Sequence, residues 1–168
     1  MSYGVERLAA GHDLDAFDCG HDALSRWLRE HARRATGQGT RTYLLIDEAS
    51  GAVAGYFAVA PHLLERDEAP RGVGRGAPQR IPAILLAKLA LHARLHGQGL
   101  GAELLVHALA TIVAAARSAG GRLIVVDAID ESAASFYRAH DFQPSLTNPR
   151  RLIMKLGTAA RALDLAWP

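Results

Sequence analysis

The apolar positions of this chain fall into short β-like runs, two stretches of helical period, and one long polar break. Val5 and Leu8 stand among polar neighbours and predict a short first strand over residues 3–10. Asp15 to Gly20 reads as a turn, and Asp22 as the N-cap of a helix from about Ala23 to Ala35. On that helix Leu24, Trp27, Leu28, His31 and Ala35 gather on one side, while Arg26, Arg29 and Arg33, flanked by Arg34, gather on the other. The runs 42–47 and 52–60, separated by Glu48-Ala49-Ser50-Gly51, predict an antiparallel hairpin closed by Pro61. From His62 to Pro82 the composition turns to Pro, Gly and charge, including Arg66, Arg71, Arg75 and Arg80, and predicts a long, flexible, basic loop.

Beyond that break the apolar run Ile81 to Leu91 predicts a central buried strand, and residues 100–117 a helix whose inner side is Leu104, Leu105, Ala108, Leu109, Ile112 and Val113. Gly120 and Gly121 end the helix, and residues 122–128 form a second apolar strand of the kind found in parallel pairing. Residues 81–128 therefore make a βαβ unit. Asp130 or Ser132 caps a short helix over 133–140, residues 151–156 form a last strand, and 157–168 a tail or short helix.

Between the central strand and its helix lies Arg94-Leu95-His96-Gly97-Gln98-Gly99-Leu100-Gly101. Glycines let successive backbone N–H groups converge, and a following helix adds its unpaired amides and positive dipole end, so this order favours a phosphate. A nucleoside triphosphate loop is excluded, because Gly-Leu-Gly stands where Gly-Lys-Ser/Thr is needed. Gly97, Gly99 and Ala102 satisfy a dinucleotide pattern, with Asp127 ending the next strand. That fold needs more parallel units than this chain supplies, and Gly72 to Ala77 meets the same pattern with no strand before it or helix after it.

Composition narrows the setting. The chain has 168 residues and a net charge of +2, enough for one ordinary core and a single domain. The sequence pI near 9.0 permits an anionic partner if the basic residues cluster. No uncharged apolar run approaches the roughly 18 residues of a membrane span, and the N-terminus lacks a signal-peptide pattern, which places the protein in the cytoplasm, off the membrane. Cys19 is the only cysteine, so no internal disulfide forms, and it reads as a small buried residue. His92 and His96 lie on a strand end and a loop without an acidic or cysteine partner, and no metal site is expected.

Arg94-x-x-Gly97-x-Gly99 after a strand resembles the R/Q-x-x-G-x-G/A pyrophosphate motif of the GNAT family of acetyl-CoA-dependent N-acetyltransferases. Ala134 to Phe142 resembles the same family's A-x-x-F-Y-x-x-x-G-F segment, with Asp141 where glycine is usual. Asp tolerates a left-handed turn better than most residues. Phe17-Asp18-Cys19-Gly20, Leu24, Trp27-Leu28, Ala32, the strand Tyr56 to Ala60 and Ile81-Pro82 are similar to the toxin branch that acetylates aminoacyl-tRNA.

The resemblance implies one acetyltransferase domain over residues 1–168 with an α/β (α+β) fold, a mixed, mostly antiparallel twisted sheet whose central parallel βαβ unit carries the acetyl-CoA loop. It implies acetyl-CoA held by Leu89, Ala90, Leu91, Arg94, His96, Gly97, Gln98, Gly99, Leu100, Gly101 and Phe136, and Tyr137 as the acid for the leaving thiolate. Aminoacyl-tRNA is then the substrate, a small ribbon-helix-helix antitoxin the partner, and a homodimer the assembly. An α-amino group titrates near ~8, so no strong base is required, which suits a central strand whose only charge is Lys88. Two arginine-rich segments could track RNA phosphates, and Arg26, Arg29, Arg33 and Arg34, with Arg75 or Arg80, are the expected contacts. The rival reading is an acetyltransferase for a small amine or a protein or peptide amine, with the arginines a solvated face.

Overall fold

The computed structural model describes residues 2–168. Seven strands, β1 (Tyr3–Arg7), β2 (Arg41–Asp47), β3 (Val53–Glu65), β4 (Arg80–Leu91), β5 (Leu123–Asp127), β6 (Gln143–Pro144) and β7 (Arg151–Lys155), are hydrogen-bonded in the order β1-β2-β3-β4-β5-β7-β6. By internal packing the chain forms two compact units, Met1–Ala60 with Ala87–Ala108, and Pro61–Leu86 with Leu109–Pro168.

The first unit is built on β1 (Tyr3–Arg7), β2 (Arg41–Asp47) and the start of β3 (Val53–Glu65). Both pairings are antiparallel, from Tyr3↔Asp47 and Arg41↔Val59, with a bulge between Leu45 and Ile46. The predicted hairpin is present, but Pro61 does not close its second strand. The helical segment is α1 (Asp22–Arg26), a π-helical turn (Trp27–His31) and α2 (Ala32–Gly37). His21 is its N-cap, and Asp22 is instead the first helical residue, paired with Arg26. The wide π turn shifts the phase, so that Leu24, Leu28 and Ala32 are buried while His31 is exposed, contrary to the wheel drawn with a uniform period. These residues pack with Phe17, Leu44 and Tyr56 into one core. The Tyr56 hydroxyl donates to the Leu24 carbonyl at 2.7 Å, pinning helix to strand.

The second unit contains the parallel pair. Residues Ala83 to Leu86 of β4 (Arg80–Leu91) run in register with Leu123 to Val126 of β5 (Leu123–Asp127). β7 (Arg151–Lys155) pairs antiparallel with β5, and the two-residue β6 (Gln143–Pro144) with β7. Residues 62–82 are not a flexible loop. β3 continues to Glu65, a 3-10 turn (Arg66–Glu68) and α3 (Arg71–Gly74) follow, and Leu64, Ala69, Val73, Ala77 and Ile81 form a core with Leu123, Val125 and Ile153. Arg66 stitches the segment by donating to the Ala77 carbonyl at 3.0 Å. After β7 comes a short helix, α6 (Leu156–Ala162), with Ala159 and Ala160 fully buried, and residues 163–168 follow it without regular structure.

Helix α4 (Leu100–Ala119) connects β4 to β5 as the βαβ pattern requires. By length and composition it is apolar enough to cross a membrane, which a search for uncharged runs passes over because of Glu103 and Arg117. Its predicted inner side, Leu104, Leu105, Ala108, Leu109, Ile112 and Val113, is buried, as in a core helix.

Candidate active site

β4 outruns its parallel partner. The register ends at Leu86↔Val126, so Ala87 to Leu91 continue beyond it. The His92 N–H donates to the Ala54 carbonyl at 2.8 Å, which keeps this end of β4 against β3. Backbone groups alternate along a strand, so if His92 and Ala90 face β3, the N–H groups of Leu89 and Leu91 face the other way. Gly55 makes the β3 approach feasible, since an added Cβ would lie 3.0 Å from the Ala90 carbonyl oxygen and 3.3 Å from Leu104.

A 3-10 turn, Ala93–Leu95, follows. His92 caps it by accepting the Arg94 N–H at 3.2 Å, and its ring meets Phe17 edge-on. The His96 Nε2 lies 2.9 Å from the Leu91 carbonyl. A carbonyl only accepts, so Nε2 carries the proton and the ring braces the strand end. The two histidines thus act on the backbone of the loop, and among the described residues no group of three or more metal-ligating side chains occurs.

Gly97 and Gly99 adopt φ of +80° and +78°, and nothing lies within 4 Å of where their Cβ atoms would be. Among the described residues the amides of Gly97, Gln98 and Gly99 have no assigned acceptor. Open space, unpaired N–H groups and the start of a 20-residue helix at Leu100 fit a pyrophosphate. Arg94, His96 and Gln98 are exposed on this loop, and Leu100 and Gly101 half-buried at the helix start. Gln98 and Leu100 also line a cavity of about 370 Å3 with Tyr3, Leu45, Glu103 and His107.

In the second unit, α5 (Glu131–Ala139) is capped by Asp130, which accepts the Ala133 N–H at 2.8 Å. Asp141 takes φ +70° after it, the left-handed turn expected where the family carries glycine, and Phe142 is buried. The Tyr137 ring is 5% exposed and packs edge-on against Phe136 at 5.3 Å and Phe142 at 5.5 Å. Its hydroxyl has no hydrogen-bond partner among the described residues. Burial pushes the phenol well above its ordinary value and keeps it protonated. Phe136 is half-buried, tilted against His140 at 4.6 Å.

The arginine stripe is partly committed to the fold. Arg29 donates to the Phe17 carbonyl at 2.5 Å and Arg33 to that of His12 at 2.6 Å, tying the 9–17 segment to the helix. Arg26 pairs with Asp22, Arg80 with Glu65 at 3.5 Å, and Arg34 and Arg75 are exposed. Sequence reasoning passed over Arg151, which grips Asp127 with two hydrogen bonds of 2.8 and 2.9 Å. The only sequence signal was opposite charge at facing ends of two predicted strands.

The chain belongs to the GNAT acetyltransferases: a model described as an acetyltransferase (GNAT) domain matches residues 38–144. The family uses acetyl-CoA. The chain is similar to a "tRNA-acetylating toxin" of Mycobacterium tuberculosis, 36% identical over 158 residues, covering 94% of this chain and 93% of that one. It is also similar to AtaT complexed with acetyl-methionyl-tRNAfMet, with a TM-score of 0.87 at 29% identity over 96% of this chain and 99% of that chain. A tyrosine-to-phenylalanine mutant of AtaT, bound to acetyl-CoA and the C-terminus of the antitoxin AtaR, matches with a TM-score of 0.81 at 29% identity, covering 95% and 97%.

Proposed function

We propose that this chain is a toxin of a toxin–antitoxin pair that transfers an acetyl group from acetyl-CoA to the α-amino group of aminoacyl-tRNA and so blocks translation. The observation that carries this reading is the near full-length similarity to a tRNA-acetylating toxin, because it spans the glycine loop and the Tyr137 helix together. Bound acetyl-CoA would supply a thioester whose acyl group passes to an amine with release of a thiolate. The amides from Gly97 to Gly101 hold the pyrophosphate, with Arg94 adding charge. The N–H groups of Leu89 and Leu91 stabilise the oxyanion. The Tyr137 hydroxyl keeps a proton for the sulfur. A raised phenol makes full transfer to a free thiolate more uphill, so hydrogen-bond donation as the C–S bond breaks carries more of the effect.

The acceptor amine arrives partly neutral without a protein base. Exposed arginines, Arg34 and Arg75 foremost, meet phosphates, while Arg29 and Arg33 hold the helix they stand on. We read residues 1–168 as one soluble acetyltransferase domain acting in the cytoplasm as a homodimer, restrained by a small ribbon-helix-helix antitoxin. The test is acetyl transfer from labelled acetyl-CoA to a panel of charged tRNAs beside free amino acids and peptides. Label on tRNA-linked amino acids is expected; label confined to free amines or peptides overturns the acceptor.

A further inference from the structure

The second unit holds a cavity of about 340 Å3 whose charged lining is all of one sign. Arg75, Arg122, Lys155 and Arg161 surround it, with Thr158 and Trp167 and no acidic side chain. Among the described residues none of the four cations makes a side-chain hydrogen bond or ion pair. Elsewhere Arg26, Arg80, Arg138 and Arg151 are ion-paired and Arg29, Arg33, Arg41, Arg66 and Arg117 donate to backbone carbonyls, while Arg7, Arg34, Arg71, Arg94 and Arg150 are likewise unpaired among the described residues but lie outside this lining, so it is the clustering that distinguishes the four. Four unneutralised cations around one hollow repel one another and raise its affinity for an anion.

The indole is placed rather than loose. Gly157 carries no Cβ, and one added there would lie 3.4 Å from Trp167 Cδ1 and 3.7 Å from Arg161 Nη1. The chain after α6 is folded back by Leu165 N–H to the Ala160 carbonyl at 2.8 Å, with Asp164 at φ +55°, and Arg117 holds the Ala166 carbonyl at 3.3 Å. The half-buried ring therefore borders the cationic hollow. Cations serve any polyanion, but a flat aromatic beside them specifically suits a nucleotide, whose base or ribose it can stack against.

We propose that this cavity binds the sugar-phosphate backbone of tRNA, with Arg75, Arg122, Lys155 and Arg161 on phosphates and Trp167 stacked on one nucleotide. It rests on the reading that charged tRNA is the substrate and names where the body of that substrate is held. The cavity lies at the N-terminal end of β5, whereas α5 and Tyr137 follow its C-terminal end. The strand alone separates the two by about 13 Å. The site is thus a grip on the RNA body, apart from the reacting amine. An acidic protein segment would satisfy the cations and leave the indole without a role, which is why RNA is favoured.

The test uses the full chain and uncharged tRNA carrying a fluorescent label, so that binding is read without the acetylation step. The combined Arg122→Gln, Lys155→Gln, Arg161→Gln variant should bind about tenfold or more weakly, and its slope of log affinity against log salt should be shallower by about 2. Trp167→Ala should weaken binding by about tenfold and Trp167→Phe much less, because phenylalanine keeps a stacking face. Melting temperatures equal to the parent establish that the variants are folded. Unchanged affinity and salt slope in folded variants overturn the proposal, as does loss of poly-glutamate binding with tRNA binding intact. Acetylation of charged tRNA by the parent chain is measured alongside. If no product forms, the proposed function fails, and the tRNA-binding comparison still decides the cavity.

Discussion

The role proposed for Tyr137 rests on one oxygen. Its ring is fixed by Phe136 and Phe142, yet its hydroxyl holds no hydrogen bond to the described residues, so removing that oxygen costs the fold little. Tyr137→Phe should lower kcat by about 10²- to 10⁴-fold while stability changes by less than ~0.5 kcal/mol. Steady-state kinetics with chemical denaturation separate these effects, and a large stability loss would make Tyr137 a packing residue only. Because the phenol is raised above its ordinary ~10, activity should show no tyrosine-dependent alkaline fall below about pH 10. It should instead rise with pH toward about 8 as the acceptor amine loses its proton, and pH–rate profiles of kcat/KM read this directly. The helix that carries Tyr137, with its Asp130 cap and the left-handed turn at Asp141, was legible because it forms a compact motif. The commitments of Arg29 and Arg33 were not, because a helical wheel shows which residues share a face but not which carbonyls of residues 9–17 lie within reach.

At the scale of elements, the glycine loop was legible because each part answers a local need: positive φ at Gly97 and Gly99, a strand before and a helix after. Two elements were misread for physical reasons. The π turn over Trp27–His31 changes the residues per turn, which no uniform period can anticipate. Segment 62–82 hides its core in widely spaced small residues, Ala69, Val73 and Ala77, among Pro, Gly and Arg. Gly55 is the converse case, a glycine inside a strand whose purpose is closeness rather than conformation. Gly55→Ala would drive a methyl group to 3.0 Å from the Ala90 carbonyl and against Leu104, displacing the end of β4 that precedes the loop. The expected cost is about 1–3 kcal/mol, with weakened acetyl-CoA binding. Urea denaturation and cofactor titration check it, and a variant with parent stability and affinity would show that β3 yields freely there.

Across the whole molecule, the order of strands, helices and loop was readable because βαβ handedness and hairpin patterning leave few topologies. What sequence could not supply is the meeting of distant residues, such as His62 with the Arg151, Asp127 and Glu68 cluster. That meeting carries an acid sensitivity for the fold. Partial burial of the ring, and after it the Arg151 charge, hold the His62 pKa below its ordinary 6.5, with Asp127 and Glu68 opposing, and Nε2 is enclosed without a partner among the described residues. The unfolded chain therefore takes up this proton at a higher pH than the folded one. His62 contributes stability above the unfolded value of about 6.5, and that contribution is lost as pH falls from there through the lower folded value. Thermal unfolding followed from pH 7.5 to 5 should show a declining Tm, and His62→Gln should flatten the decline. An equally steep decline in the variant would assign the acid sensitivity to other groups.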